Sequence, residues 1–118
     1  MSHDPNCLFC KIVAGEIPAK IVKRSPHALA FRDIDAKAPV HVLVIPTRHI
    51  IAVRDAKGED DERLLGRLLA FAAEVARDEG LDGEGYRIVT NTGRNAGQSL
   101  DHLHLHVLGG RKLTWPPG

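Results

Sequence analysis

The alternation His102-Leu103-His104-Leu105-His106-Val107-Leu108 constrains this chain more than any other stretch. A period of two is the side-chain period of a β-strand. Extended backbone would put the three imidazoles on one face and Leu103, Leu105 and Val107 on the other. A helix would scatter the same histidines around its circumference. The expectation is therefore a strand over 102–108 that turns its leucines into a core and presents a row of imidazoles. A merely solvated face is more simply built from Thr, Lys or Glu. Histidine here points to chemistry near neutral pH, as nucleophile, acid–base partner or metal ligand.

The segment Asn91 to Ser99, Asn-Thr-Gly-Arg-Asn-Ala-Gly-Gln-Ser, precedes the row. Gly93 and Gly97 let backbone approach a ligand closely and aim N–H groups at it, and Gln98 and Ser99 add side-chain donors. Such a composition by itself marks an ordinary turn. Next to three histidines it reads as a loop for an anion, phosphate first.

A chain of 118 residues suits one domain with a real core. Charged residues make up 26%, and the net charge of +1 gives no electrostatic footprint for nucleic acid. No apolar run is long enough to span a membrane, and the first residues lack the regions of a signal peptide. The expectation is a cytoplasmic protein with no membrane and no nucleic-acid partner. Cys7–Ala14 reads as a short helix ended by Gly15, and 19–24 and 28–32 as strands around a Ser25-Pro26-His27 turn. Val40–Ile45 is β-rich and closes at Pro46. Leu64, Leu65, Leu68, Leu69, Ala72, Val75 and Ala76 form one helical stripe ending at Gly80. The acidic run 59–62 lies at its start, where it complements the helix dipole. Tyr86–Asn91 and 102–108 supply the last strands. Five strands and one long helix, joined by short connections, predict an α+β fold with an antiparallel sheet.

Two chemistries compete at the histidine row. One imidazole can attack phosphorus and split a hard displacement into two easier steps. Alternatively the histidines are metal ligands, since His-x-His on a strand can bind zinc. Cys7-Leu8-Phe9-Cys10 has three meanings, zinc half-site, redox pair or coincidence. The redox meaning lacks its βαβ setting, and two cysteines in a reducing compartment are poor candidates for a stable disulfide.

Gly97-Gln98-Ser99 followed by His102-Leu-His104-Leu-His106-Val-Leu resembles the signature of the histidine triad (HIT) family. The resemblance extends over nearly the whole chain. It includes Leu8–Val13 with Gly15–Lys20, Ala30–Ile34, and Ala38–Pro46. The ending, Leu108–Arg111 through Trp115–Gly118, is similar to the HINT branch of purine nucleotide-binding phosphoramidases.

That resemblance implies a single HIT domain over 1–118, with a five-stranded antiparallel sheet, one long and one short helix, and a homodimer. The tail 109–118 would pack at the dimer interface. His104 is implied as nucleophile through a nucleotidyl-histidine intermediate. His106 and Ser99 would be donors to the α-phosphate or the leaving group, with His41 nearby. Asp33 would accept from the ribose hydroxyls, as an ionised carboxylate can. Phe31, Ile34, Leu8, Phe9, Ile12 and Leu43 would line an apolar slot for the base. Asn91, Gly97, Gln98 and Ser99 would hold the phosphate side. Cys7, Cys10, His49 and His102 complete a Cys2His2 set of the structural zinc type. The implied substrates are purine nucleoside phosphoramidates or acyl-nucleotides, cleaved at the α-phosphorus. A different class, a nucleotide- and zinc-binding regulatory or scaffold protein with vestigial turnover, is the alternative. A third reading, a hydrolase using all three triad histidines on zinc, predicts loss of activity with chelator. Asp101 departs from the family, where an aromatic residue is common, and bears on packing rather than on the triad. His3 and His27 receive no role.

Overall fold

The computed structural model describes residues 3–118. The chain runs through helix α1 (Leu8–Val13), strands β1 (Ile21–Arg24), β2 (Ala28–Arg32) and β3 (Val40–Pro46), then helix α2 (Gly58–Asp78) and strands β4 (Tyr86–Val89) and β5 (Leu105–Gly109). Single 3-10 turns lie at Val53–Asp55 and Arg94–Ala96. The five strands form one sheet in the order β1-β2-β3-β5-β4, and every neighbouring pair is antiparallel. This is the α+β architecture that the strand and helix patterns predict.

Strand alternation divides the core between two faces of the sheet. Ala28, Ala30, Val42, Val44, Leu105 and Val107 face α2, where they meet Leu68, Phe71, Ala72, Val75 and Ala76. Leu29, Phe31, Leu43 and Ile45 face the other way and pack with Phe9 and Ile12 of α1. Truncating a fully buried residue such as Leu68 to Ala would cost about 2–5 kcal/mol. The helical stripe differs from the sequence expectation at two positions. Leu69 is more than half exposed, and Phe71 takes a place in the core. At about a hundred degrees per residue Leu69 lies at the rim of the buried face, about 100° from Leu68 and just beyond Ala76, while Phe71 lies about 60° from Leu68 on the other side.

α2 begins without a capping side chain at Lys57. Asp61 reaches back instead, and its carboxylate accepts from the Lys57 N–H at 2.7 Å and from Arg48. The acidic run thus anchors the helix start, as its position suggests. No helix among the described residues is long and apolar enough to cross a membrane.

The last strand is shorter than its sequence pattern. β3 pairs with β5 from Val40 opposite Gly109 to Val44 opposite Leu105, and the ladder stops there. Continuing it would set Pro46 against Leu103, and proline has no N–H to give. The Leu103 N–H donates instead to the Ile50 carbonyl at 2.7 Å. His102, Leu103 and His104 therefore precede the ladder, and of the three histidines only His106 sits in the strand itself.

Candidate functional site

On the α1 face of the sheet the imidazoles still form a row. The ring of Phe9 stands edge-on to both His102 and His104, with centroids 5.8 and 5.3 Å away, and His104 contacts His106 at 5.1 Å. His102, His104 and His41 are buried, and His106 is half-buried.

Backbone carbonyls only accept hydrogen bonds, so they fix which nitrogen of each ring carries the proton. His104 Nδ1 lies 2.8 Å from the carbonyl of its own neighbour His102. The proton must be on Nδ1, and Nε2 of neutral His104 keeps a bare lone pair. His102 is turned the other way. Its Nε2 donates to the Pro46 carbonyl at 3.0 Å, leaving Nδ1 bare. That bare nitrogen is 3.3 Å from the Cys7 Sγ and 3.6 Å from the Cys10 Sγ.

The two ends of this row differ in their surroundings. Cys7, Cys10, His49 and His102 place one ligand atom each within 4.8 Å of all the others. His49 Nδ1 is 3.3 Å from the Cys10 Sγ. A tetrahedral zinc with ordinary Zn–S and Zn–N bonds separates such atoms by roughly 3.6 Å, so the donor set fits zinc in both chemistry and spacing. Burial pushes the Cys10 thiol up and holds the His102 imidazole down at about 4, so His102 offers the neutral ring that a metal requires. The four residues come from the N-terminus of α1, the segment after β3 and the segment before β5. A metal here would bind three stretches of chain to one another.

At the other end, His41 Nε2 lies 2.9 Å from His106 Nδ1 and 3.3 Å from the Asp33 carboxylate. The Lys37 backbone N–H donates to His41 Nδ1 at 3.0 Å, so neutral His41 carries its proton on Nε2. Burial holds His41 below the usual imidazole range, and Asp33 opposes it. His106 is pushed down to about 4 by burial, reinforced by His104 and His41. With Nδ1 accepting from His41, His106 presents Nε2–H outward as a donor. Asp33, His41 and His106 also lie close enough to resemble a metal-ligand group. The proton on His41 Nε2 argues against a cation there, because the ligating lone pair is not free.

The Asn91–Ser99 loop leaves β4 beside the row, since Val89 pairs with His106 and the Thr90 hydroxyl donates to the His104 carbonyl at 2.9 Å. Gly93 and Gly97 both have φ near +80°, the conformation that their identity suggests. The loop is closed differently from the sequence expectation. The Gly97 N–H donates to the Arg94 carbonyl and the Gln98 N–H to the Gly93 carbonyl. The Gln98 side chain accepts from the Gly93 N–H and donates to the Ile51 and Leu100 carbonyls. Gln98 is thus a clamp that holds the loop to the segment after β3. The exposed Ser99 and half-buried Asn91 remain on its surface.

The expected apolar slot is only partly assembled. Phe9, Ile12, Phe31 and Leu43 are core residues beneath the site, packed with Leu29 and Ile45. Leu8 and Ile34 expose apolar surface, Ile34 completely. Sequence reading leaves two participants unseen, the Lys37 backbone N–H and the link between Asp33 and His41. Both follow from the β2–β3 hairpin register, which sets Arg32 opposite Val42 and continues with the Asp33 N–H donating to the His41 carbonyl.

A family model described as HIT domain matches residues 14–113. A HIT-like protein of Synechococcus elongatus is 51% identical over 118 residues, covering all of both chains. Among solved structures, a HIT family hydrolase from Legionella pneumophila superposes with a TM-score of 0.92 at 51% identity, over 96% of this chain and 100% of that one. A histidine triad nucleotide-binding protein from Candida albicans superposes at 0.79 with 32% identity, over 94% of this chain and 83% of that one.

Proposed function

The chain belongs to the HIT family, and on that footing we propose that it is a nucleotide-binding hydrolase that works through a nucleotidyl-histidine intermediate at His104. The observation that carries this reading is the hydrogen bond from His104 Nδ1 to the His102 carbonyl. It leaves Nε2 as a lone pair beside a donor, His106, and beside the loop that ends in Ser99. A nucleophile needs that tautomer, and a spectator histidine does not.

His104 Nε2 attacks the α-phosphorus of a purine nucleoside phosphoramidate or acyl-nucleotide, and the bond from phosphorus to the leaving group breaks. His106 through Nε2–H and Ser99 through its hydroxyl donate to the α-phosphate oxygens or to the leaving group, with Asn91 on the same side. Water then attacks the phosphorus of the nucleotidyl-His104. In net, its hydroxyl ends on phosphorus and its proton on the leaving atom. Gly97 and Gln98 shape the loop. Asp33 takes the ribose hydroxyls, and Leu8 and Ile34 meet the base above Phe9, Ile12, Phe31 and Leu43. The hydrolase and the nucleotide-binding protein among the structural relatives support this reading.

Zinc on Cys7, Cys10, His49 and His102 would be structural, since all four positions of a tetrahedron come from protein. A homodimer would pair exposed surfaces left on the protomer. Tyr86 lies on the edge strand β4, Leu69 on the outer face of α2, and Trp115 in the tail is 81% exposed.

The test is release of AMP from adenosine 5′-phosphoramidate by the wild type and by His104→Ala. Turnover by the wild type alone supports the reading. Equal turnover by both, or turnover by neither with tight AMP binding, contradicts it, the latter in favour of a binding protein.

A further inference from the structure

We propose that His41 is a positioning residue that reports ribose occupancy at Asp33 to His106, so that the ribose hydroxyls act on the rate of the chemical step as well as on binding. The inference rests on the nucleotide-site reading above and extends it.

The geometry gives His41 one proton and two acceptors. The Lys37 N–H occupies Nδ1, so the proton lies on Nε2, which faces His106 Nδ1 at 2.9 Å and Asp33 Oδ2 at 3.3 Å. His41 is buried, and its other flanks hold no further titratable partner in hydrogen-bond contact among the described residues. Asp33 is itself held in place. Its Oδ1 accepts from the Asp35 N–H at 2.8 Å, and its own N–H pairs with the His41 carbonyl. The carboxylate therefore cannot swing away from His41 without breaking the Asp35 bond, and the backbone pair fixes the point it hangs from. Its side chain is 18% exposed, enough to receive a ligand.

When a hydroxyl donates to the Asp33 carboxylate, part of that group's accepting strength is taken up. The His41 N–H then shifts its preference to His106 Nδ1. A firmer bond at Nδ1 locks the proton of His106 on Nε2, the outward nitrogen that meets the phosphate or leaving group. Without the hydroxyl, Asp33 competes for the His41 proton, and His106 is free to sample the tautomer that has no donor at Nε2. Ribose binding and donor readiness are thereby coupled through one hydrogen atom.

The experiment compares adenosine 5′-phosphoramidate with its 2′,3′-dideoxy analogue in single turnover. Histidine-ring 15N NMR with AMP and with 2′,3′-dideoxy-AMP provides a readout independent of turnover. The wild type is expected to lose about tenfold in the saturated rate on the dideoxy substrate, beyond any change in KM, as for one misplaced donor. His106 Nε2 should be protonated with AMP and averaged between tautomers with dideoxy-AMP. In Asp33→Asn, the two substrates should share one saturated rate. A dideoxy effect confined to KM, or identical His106 signals with both nucleotides, overturns the relay and leaves the nucleotide site standing. Failure of either nucleotide to perturb any histidine overturns the nucleotide-site reading and the relay together.

Discussion

His104 donates through Nδ1 to the backbone carbonyl of His102 at 2.8 Å, while His102 donates through Nε2 to the Pro46 carbonyl at 3.0 Å. Neighbouring members of one motif are thus held in opposite tautomers. One turns its bare nitrogen toward two cysteines and the other keeps Nε2 unprotonated. Backbone atoms alone set this division of labour, and it assigns different chemistry to residues that look equivalent in sequence.

His104→Ala should lower the single-turnover rate on adenosine 5′-phosphoramidate by about 10⁴-fold or more, toward the scale of about 10⁶ for removing a nucleophile. AMP affinity by calorimetry should stay within about tenfold, because the phosphate donors His106 and Ser99 remain. A comparable loss of rate and affinity would move His104 from attack to binding.

Removal of metal should act on stability. Chelation, or Cys10→Ser, is expected to lower Tm by about 10 °C, because the site joins three separate segments. The fraction that stays folded should keep turning over. Abolished activity with an unchanged melting curve would instead put the metal in the chemistry, as the reading with all three triad histidines on zinc requires.

Acid should weaken the fold through His106. Its imidazole is held at about 4 in the native chain against an ordinary value of about 6.5 in the unfolded one. Native protein binds fewer protons across that window, so the stability present above pH 6.5 is lost progressively as pH falls toward 4. His106→Asn should reduce the slope of that part of a urea-midpoint profile, the remainder belonging to His102, and the same substitution should slow turnover by about 10²-fold. An unchanged slope would show that the imidazole is not held neutral.

Asp61 titrates in a lower window. The Lys57 N–H first, then Arg48, holds its carboxyl below the usual range. Its stabilising effect is complete above the ordinary carboxylate value of about 3.9 and disappears as pH falls through the depressed one. Asp61→Asn should lower Tm by a few degrees at pH 7 and by less at pH 2. Equal Tm values at both pH would remove Asp61 from the anchoring of α2.

A packing test concerns Gly109, where an added Cβ would lie 2.7 Å from the Leu81 Cδ1. Leu81 is buried. Gly109→Ala should cost about 1–3 kcal/mol in chemical denaturation. Leu81→Ala in the same chain should recover part of that cost, and strict additivity would show that the two do not share the space.

The alternating pattern in β5 was legible because leucine on one side and histidine on the other leave one workable orientation. The start of that strand was not, because it depends on a partner: Pro46 in β3 cannot extend the ladder to Leu103. The Cys2His2 group could be named from the family resemblance. Its closure depends on a bend after β3 that spacing does not encode. The clamping role of Gln98 and the meeting of Asp33 with His41 both require strand register and loop closure, which are tertiary facts. The base-side residues are ambiguous for a similar reason. An apolar residue suits a core and a binding slot equally well, and Phe9, Ile12, Phe31 and Leu43 went to the core.

The central claim is that His104 forms a bond to phosphorus. Its direct test is intact-protein mass spectrometry after acid-free quenching of wild type and His104→Ala during turnover of adenosine 5′-phosphoramidate. The account predicts a transient adenylyl adduct on the wild type, mapped by fragmentation to His104, and none on the variant. An adduct mapped to another residue, or undiminished AMP release by the variant, would contradict it.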